Sequence, residues 1–230
     1  FVVGEIQRLV SQGICRAGDC AVMYRTNAQS RVIEDAFVRN RMPYKLVGAT
    51  RFYQRREIKD VLAYLRLVHN PYDNVSLRRI INVPPRRIGI KTISRLESWA
   101  ARLGVPVYAI LQLLEGGEGA EALPAKAFGP VAHRALVGFL HLLNDLLAAR
   151  EGDDLLGLLD LVLERTGYAD YVRDGTEEGE ERWRNIMELR SVAQEYADLG
   201  AEEGLSAFLE EVALVSDVDN LDEGSDAVTL

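Results

Sequence analysis

Strand signals in this chain are confined to its two ends. Ala21–Tyr24 and Met42–Gly48 read as short strands near the start, and Ala227–Leu230 as a strand at the finish. Between them the apolar residues recur at helical spacing. Ile58, Val61, Leu62, Leu65 and Val68 mark one helix, and Ile90, Ile93, Leu96, Ala100 and Leu103 mark another. A strand at the carboxyl end has no partner except the early strands. The pattern therefore predicts a mainly α chain with a small α/β part, in which a large helical insertion interrupts a parallel sheet.

Finer signals fill in the order. A helix runs to about Gln12, followed by a Gly18-Asp19 turn, and Thr26 or Asn27 caps a helix from about 28 to 40. Val32, Ile33, Ala36 and Phe37 form the inner side of that helix, and Val22 and Met23 suit a buried strand. Asn74 is placed to cap a helix that Pro84-Pro85 ends, and Gly104 closes the next. Residues 116–129, rich in Gly, Ala and Pro, read as a loop. Helices are expected at about 130–149, 154–165 and 180–199, with Asp174–Glu181 as an acidic connection. Ser206 is expected to start the last helix, which ends near Val215 before an acidic loop at Asp217–Asp226.

Charge separates the chain into unlike halves. The net charge is −8, yet residues 25–102 hold 17 Lys or Arg against 6 Asp or Glu, a balance of +11. Residues 103–230 hold 8 basic against 27 acidic side chains, a balance of −19, so only the first half attracts a polyanion. No apolar run reaches the length that spans a bilayer, and the amino terminus lacks a secretory pattern. The absence of an initiator Met suggests a piece cut from a longer protein. Cys15 and Cys20 have no further Cys or His at ligand spacing and read as reduced cytosolic thiols, with a disulfide as the lesser alternative. No Gly-x-x-x-x-Gly-Lys-Ser/Thr loop occurs, and His69, His133 and His141 are isolated. Neither a catalytic residue nor a cofactor- or metal-binding residue is expected in this stretch.

Three places carry cations where a phosphate can reach them. At the first, Tyr24, Arg25 and Asn27 leave a strand just before a helix, the edge of an open α/β sheet where ligands collect. At the second, Gly48 opens a turn that brings Arg51, with Phe52 and Tyr53 as stacking candidates or as core. The third is a tight hairpin between helices, in which Arg86, Arg87, Gly89, Lys91 and Thr92 surround the free amides of a helix start. Against these stand plainer readings: an Arg25 ion pair with Glu34 or Asp35, and an ordinary αα-hairpin with a Gly bend.

At these residues the chain resembles the bacterial UvrD/PcrA/Rep group of superfamily 1 DNA helicases, nearer the PcrA type. The likeness rests on Tyr24–Arg31, Glu57–Asp60, Leu62–Arg66 and Arg79–Pro84, with support from Asn185–Leu189 and Phe208–Asp217, and it extends over essentially the whole chain. It implies that residues 1–52 are part of the second RecA-like motor domain, 53–221 an inserted helical domain, and 222–230 the return strand. It implies a role within an ATP-dependent 3′-to-5′ DNA helicase of repair and replication, with ATP and Mg2+ bound by the parent protein. Tyr24, Arg25, Asn27 and Arg51 would then meet single-stranded DNA, and the hairpin would grip duplex. The group usually has Gly-Ile-Gly where this chain has Arg87-Ile88-Gly89. Expected partners are DNA and the remaining motor domains, in a bacterial, nucleoid-associated cytoplasmic protein without membrane contact. The alternative is an acidic helical module docking a repair or transcription protein.

Overall fold

The computed structural model describes residues 1–25, 29–47, 51–116, 123, 127–150, 154–218 and 226–230. Eleven α-helices and two short strands are present among them. The amino-terminal part runs α1 (Val2–Ser11), a 3-10 turn (Ala17–Asp19), α2 (Ser30–Arg39), β1 (Tyr44–Lys45) and a second 3-10 turn (Phe52–Gln54). The helical body follows: α3 (Arg56–His69), α4 (Asn74–Ile80), α5 (Ile90–Leu103), α6 (Val107–Glu115), α7 (Pro130–Ala149), α8 (Leu155–Arg165), α9 (Tyr168–Val172), α10 (Glu177–Gln194) and α11 (Ala201–Val218). β2 (Val228–Thr229) then lies parallel to β1, with Tyr44 opposite Val228 and Lys45 opposite Thr229.

The fold is mainly helical with a small parallel sheet, as the distribution of strand signals implies. Only Ala21 of the first expected strand takes part, as a single bridge to Thr229. The Val22 amide donates to the Thr229 carbonyl at 2.8 Å, and the chain then leaves the sheet, so Met23 is 95% exposed rather than buried. α2 turns Ile33, Ala36 and Phe37 onto the small core as expected, but not Val32. Val32 faces solvent, while Phe37 is fully buried and Ser30, Arg31, Glu34 and Asp35 are buried beside it. A polar face turned inward defeats a reading based on apolar spacing alone.

α3 is the axis of the helical body. Ten of its fourteen residues are buried, among them Ile58, Val61 and Leu65 with no exposure, because α4, α7, α8, α10 and α11 all pack on it. Each such aliphatic side chain contributes about 2 kcal/mol of transfer free energy. A separate small cluster of Val3, Ile6, Ala17, Phe37, Val228 and Leu230 holds the sheet against α1 and α2.

Caps explain several boundaries. Asp73, not Asn74, caps α4: its carboxylate accepts from the Val75 and Ser76 amides at 3.0 and 3.2 Å. The Asn74 side chain instead accepts from the Val107 amide at 2.9 Å, seating α6, a helix the sequence reading omits. Thr176 caps α10, which places Glu177, Glu178 and Glu180 in its first turn, where the helix dipole favours them. The acidic stretch expected as a connection is thus largely a helix start. α11 begins at Ala201 rather than Ser206.

Candidate nucleic-acid interface

The sheet edge is built by the return strand. The Thr229 amide donates to the Cys20 carbonyl at 3.0 Å, and the Leu230 amide to the Lys45 carbonyl at 2.8 Å, so β2 draws the Ala21 segment and β1 together. Past Val22 the freed chain lines an open pocket of about 610 Å³ with Met23, Tyr24, Arg25, Gln29 and Val32, and Glu188 of α10 completes it. The Arg25 amide donates to Gln29 Oε1 at 3.1 Å, and its side chain is exposed. Burial, reinforced by Glu34, pushes the Tyr24 phenol above its ordinary pKa. Asn27 lies outside the described residues.

Arg51 precedes the 3-10 turn at Phe52 and lies 5.6 Å from the centre of the Tyr44 ring, a cation–π contact. Glu34 links this turn to β1. Its Oε2 accepts from the Tyr44 hydroxyl at 3.4 Å and from the Phe52 amide at 3.2 Å. One buried carboxylate therefore touches the elements bearing Arg51 and acts electrostatically on Tyr24. Phe52 and Tyr53 are core, the plainer of their two readings: both are buried and pack edge to face at 5.1 Å.

A polar seam joins α2 to the helical body. The Arg55 guanidinium donates to Asn185 Oδ1 and to Ser30 Oγ, each at 2.8 Å, and Asn185 donates to Glu57 Oε1 at 2.7 Å. Arg31 bridges Asp35 at 2.8 Å and Glu188 at 2.7 Å. Burial raises the Asp35 carboxyl to about 6, against the opposing pull of Arg31 and Arg39. The sequence reading missed this seam. Its available signal was the Ser30, Arg31, Glu34 and Asp35 set, which shares a helical face.

At the hairpin the two adjacent arginines part company. Arg86 turns inward, where it donates to the carbonyls of Ile80 and Pro84 at 3.0 and 3.2 Å and to the Tyr64 hydroxyl at 2.7 Å. The rings of Tyr64 and Phe139 flank the same guanidinium. Burial pushes the Tyr64 phenol up to about 12, with Arg86 opposing the rise, and that hydroxyl donates to the Val83 carbonyl. Asn82 Oδ1 accepts from the Arg86 and Ile88 amides at 2.7 and 3.1 Å, a brace that sequence reading overlooked. Ile88 is anchored in the core without exposure.

Arg87 turns outward and is exposed, with a backbone φ of +63°. That left-handed conformation is the one glycine adopts without strain, so an arginine here is held against its backbone preference. Gly89 precedes α5 with no side-chain cap, and a Cβ built on it would meet nothing within 4 Å. Lys91 is exposed beside it and Thr92 half-exposed. The hairpin presents open helix-start amides and two cations on a surface that a bulky anion can approach.

Residues 1–113 match the family described as the UvrD-like helicase C-terminal domain. Through that stretch the chain carries a UvrD-like helicase C-terminal domain. Over its whole length it is 37% identical to the ATP-dependent DNA helicase PcrA of Bacillus subtilis and 40% identical to the ATP-dependent DNA helicase UvrD1 of Mycobacterium tuberculosis. Over 96% of its length it is 35% identical to the ATP-dependent DNA helicase PcrA of Staphylococcus aureus. The chain spans about 31% of the first two relatives. The candidate residues of both surfaces fall within the stretch that carries the UvrD-like match, while β2 and Glu188, which complete the sheet edge, lie beyond it. No phosphate-binding loop occurs in this UvrD-like sequence, and the described residues include no group of three acidic, His or Cys side chains that could hold a metal ion. No helix among the described residues is long and apolar enough to cross a membrane.

Proposed function

We propose that this chain is the DNA-tracking and duplex-gripping portion of an ATP-dependent 3′-to-5′ DNA helicase acting in DNA repair and replication. In this reading residues 1–52 and 222–230 belong to the second RecA-like motor domain and 53–221 to a helical domain inserted in it. ATP and Mg2+ are bound elsewhere in the longer parent, a bacterial cytoplasmic protein associated with the nucleoid. Its other motor domains, and repair or transcription proteins, are the further partners.

Tyr24, Arg25, Asn27 and Arg51 contact the sugar-phosphate chain of a single strand. Arg87, Gly89, Lys91 and Thr92 hold a phosphate of the duplex, and Arg86 acts as a positioning residue that fixes the hairpin from within. The observation that carries the reading is the hairpin itself, with exposed Arg87 and Lys91 at an uncapped helix start on a buried mount. The contacts are to backbone phosphates, so affinity falls steeply with salt and base sequence matters little.

The test is a fluorescence titration of a duplex with a 3′ tail at two salt concentrations. Arg25→Ala and Arg51→Ala in the intact enzyme should weaken single-strand binding and DNA-stimulated ATPase, each lowering the salt slope by about one. Arg87→Ala with Lys91→Ala should weaken duplex binding while leaving single-strand binding intact. Unchanged slopes in all three variants would reject the assignment. Absence of binding even at low salt would favour the acidic half as a docking module for a protein partner.

A further inference from the structure

We infer that Cys15 and Cys20 are a redox-responsive disulfide site that locks the turn receiving the return strand. α1 ends at Ser11, and Gly13, with φ +69°, reverses the chain so that the Ile14 amide donates back to the Leu9 carbonyl at 3.0 Å. The 3-10 turn then folds on itself. The Arg16 amide donates to Asp19 Oδ2 at 2.9 Å, and the Cys20 amide to the Ala17 carbonyl at 3.1 Å. Cys15 and Cys20 thus stand at the two mouths of one tight loop, both half-buried, with their sulfurs 3.5 Å apart. That separation is van der Waals contact. A disulfide needs the sulfurs to close to about 2.05 Å, a movement of the kind that side-chain torsion supplies.

The loop the pair would close is where the end of the chain is held. The Gly18 amide donates to Asp226 Oδ1 at 2.6 Å, and Cys20 accepts from the Thr229 amide. A Cβ on Gly18 would lie 2.6 Å from that carboxylate oxygen, so a larger residue there would push the Asp226 side chain aside. The contact with Cys15, burial, and the charges of Asp19 and Asp226 together push the Cys20 thiol up. Oxidation by a low-molecular-weight disulfide proceeds by exchange. One cysteine thiolate attacks the reagent, giving a mixed disulfide and one released thiol. The second cysteine attacks the protein sulfur of that mixed disulfide, forming the Cys15–Cys20 bond and releasing the second thiol. The two cysteines are oxidised by two electrons and the reagent is reduced by two, with both protons passing to its thiols. In a reducing cytoplasm the bond would form only under oxidative load.

Trypsin makes the test direct, because cleavage after Arg16 separates the cysteines into the peptides Leu9–Arg16 and Ala17–Arg25. The intact chain is equilibrated with graded ratios of oxidised to reduced glutathione, quenched with acid and iodoacetamide, digested and analysed by mass spectrometry. The linked peptide pair, two hydrogens lighter than its parts, should accumulate with rising ratio and vanish with dithiothreitol. The oxidised chain should also melt about 5 °C higher, the expectation for closing a loop this short in a chain of this size. The double variant Cys15→Ser/Cys20→Ser should melt at one temperature at every ratio. Free thiols throughout, glutathione adducts on the separate peptides, or disulfide-linked dimers in place of the pair would overturn the site. A linked pair without a rise in Tm would overturn the locking role.

Discussion

The hairpin and the sheet edge present the same donor chemistry on very different mounts. Behind the hairpin lies the large helical core, and Arg86 ties it to Ile80, Pro84 and Tyr64. Behind the sheet edge lies a six-residue cluster and a few ladder bonds between segments far apart in sequence. Prebuilt geometry costs a ligand little ordering entropy, whereas a lightly supported edge gives up more on binding. The lesson is that cations near a turn say little until the support beneath them is known.

The sharpest way to break that contrast is Phe37→Ala. Phe37 has no exposure and stacks at 5.7 Å on Tyr44, so its loss empties the centre of the small cluster. The expected cost is about 4 kcal/mol. Hydrogen exchange is the check. The Val228, Thr229 and Leu230 amides should lose protection while those of α3 keep theirs. Equal loss in both regions would show one cooperative core instead of two.

Arg86→Ala probes the other mount and should cost about 2 to 3 kcal/mol, since it leaves the Ile80 and Pro84 carbonyls and the Tyr64 hydroxyl short of a partner. Denaturant unfolding measures it. Duplex affinity should fall with the hairpin's order although Arg86 touches no DNA in the proposed arrangement, and the salt slope should stay as in the parent. A slope reduced by about one would instead make Arg86 a phosphate contact.

Helical periodicity made α3 legible, and a short apolar strand run at 227–230 with no partner but the early strands made the return strand so. The burial of a polar face of α2 was not legible. Its inward face carries Ser30, Arg31, Glu34 and Asp35, and only the opposing Arg55, Asn185 and Glu188 make that face worth burying. Arg55 reaches that face from 25 residues away and Glu188 from 157, so the pairing is not visible from local spacing. The cations at the hairpin were legible as a group, but which arginine faces solvent was not. That is settled by Asn82 and Tyr64, one turn and one helix away.

Asp35 sharpens the comparison from the seam between the two parts. Its carboxyl is raised to about 6 by burial. Below pH 4 it is protonated in both folded and unfolded chains. As pH rises from 4 to 6 the unfolded chain releases the proton first, so the folded state loses stability and the full penalty stands above pH 6. Asp35→Asn removes that titration. The stability of the variant relative to the parent should therefore improve between pH 4 and 7, by about 2 kcal/mol. A difference that stays flat with pH would place the carboxyl in its ordinary range.

The smallest expected effect separates stability from binding at one residue. Arg87 occupies φ +63° and is exposed, so its side chain gains nothing from packing while its backbone is strained. Glycine relieves that strain, although it frees the unfolded chain, and the net gain from Arg87→Gly should be about 0.5 to 1 kcal/mol. The same change deletes a cation from the hairpin and should lower the salt slope of duplex binding by about one. A variant that is more stable yet binds duplex more weakly means that the arginine is kept for its charge against its own backbone. If instead glycine binds duplex as well as arginine, close approach of the backbone amides replaces the lost charge. The hairpin would then work through its helix start rather than through its side chains.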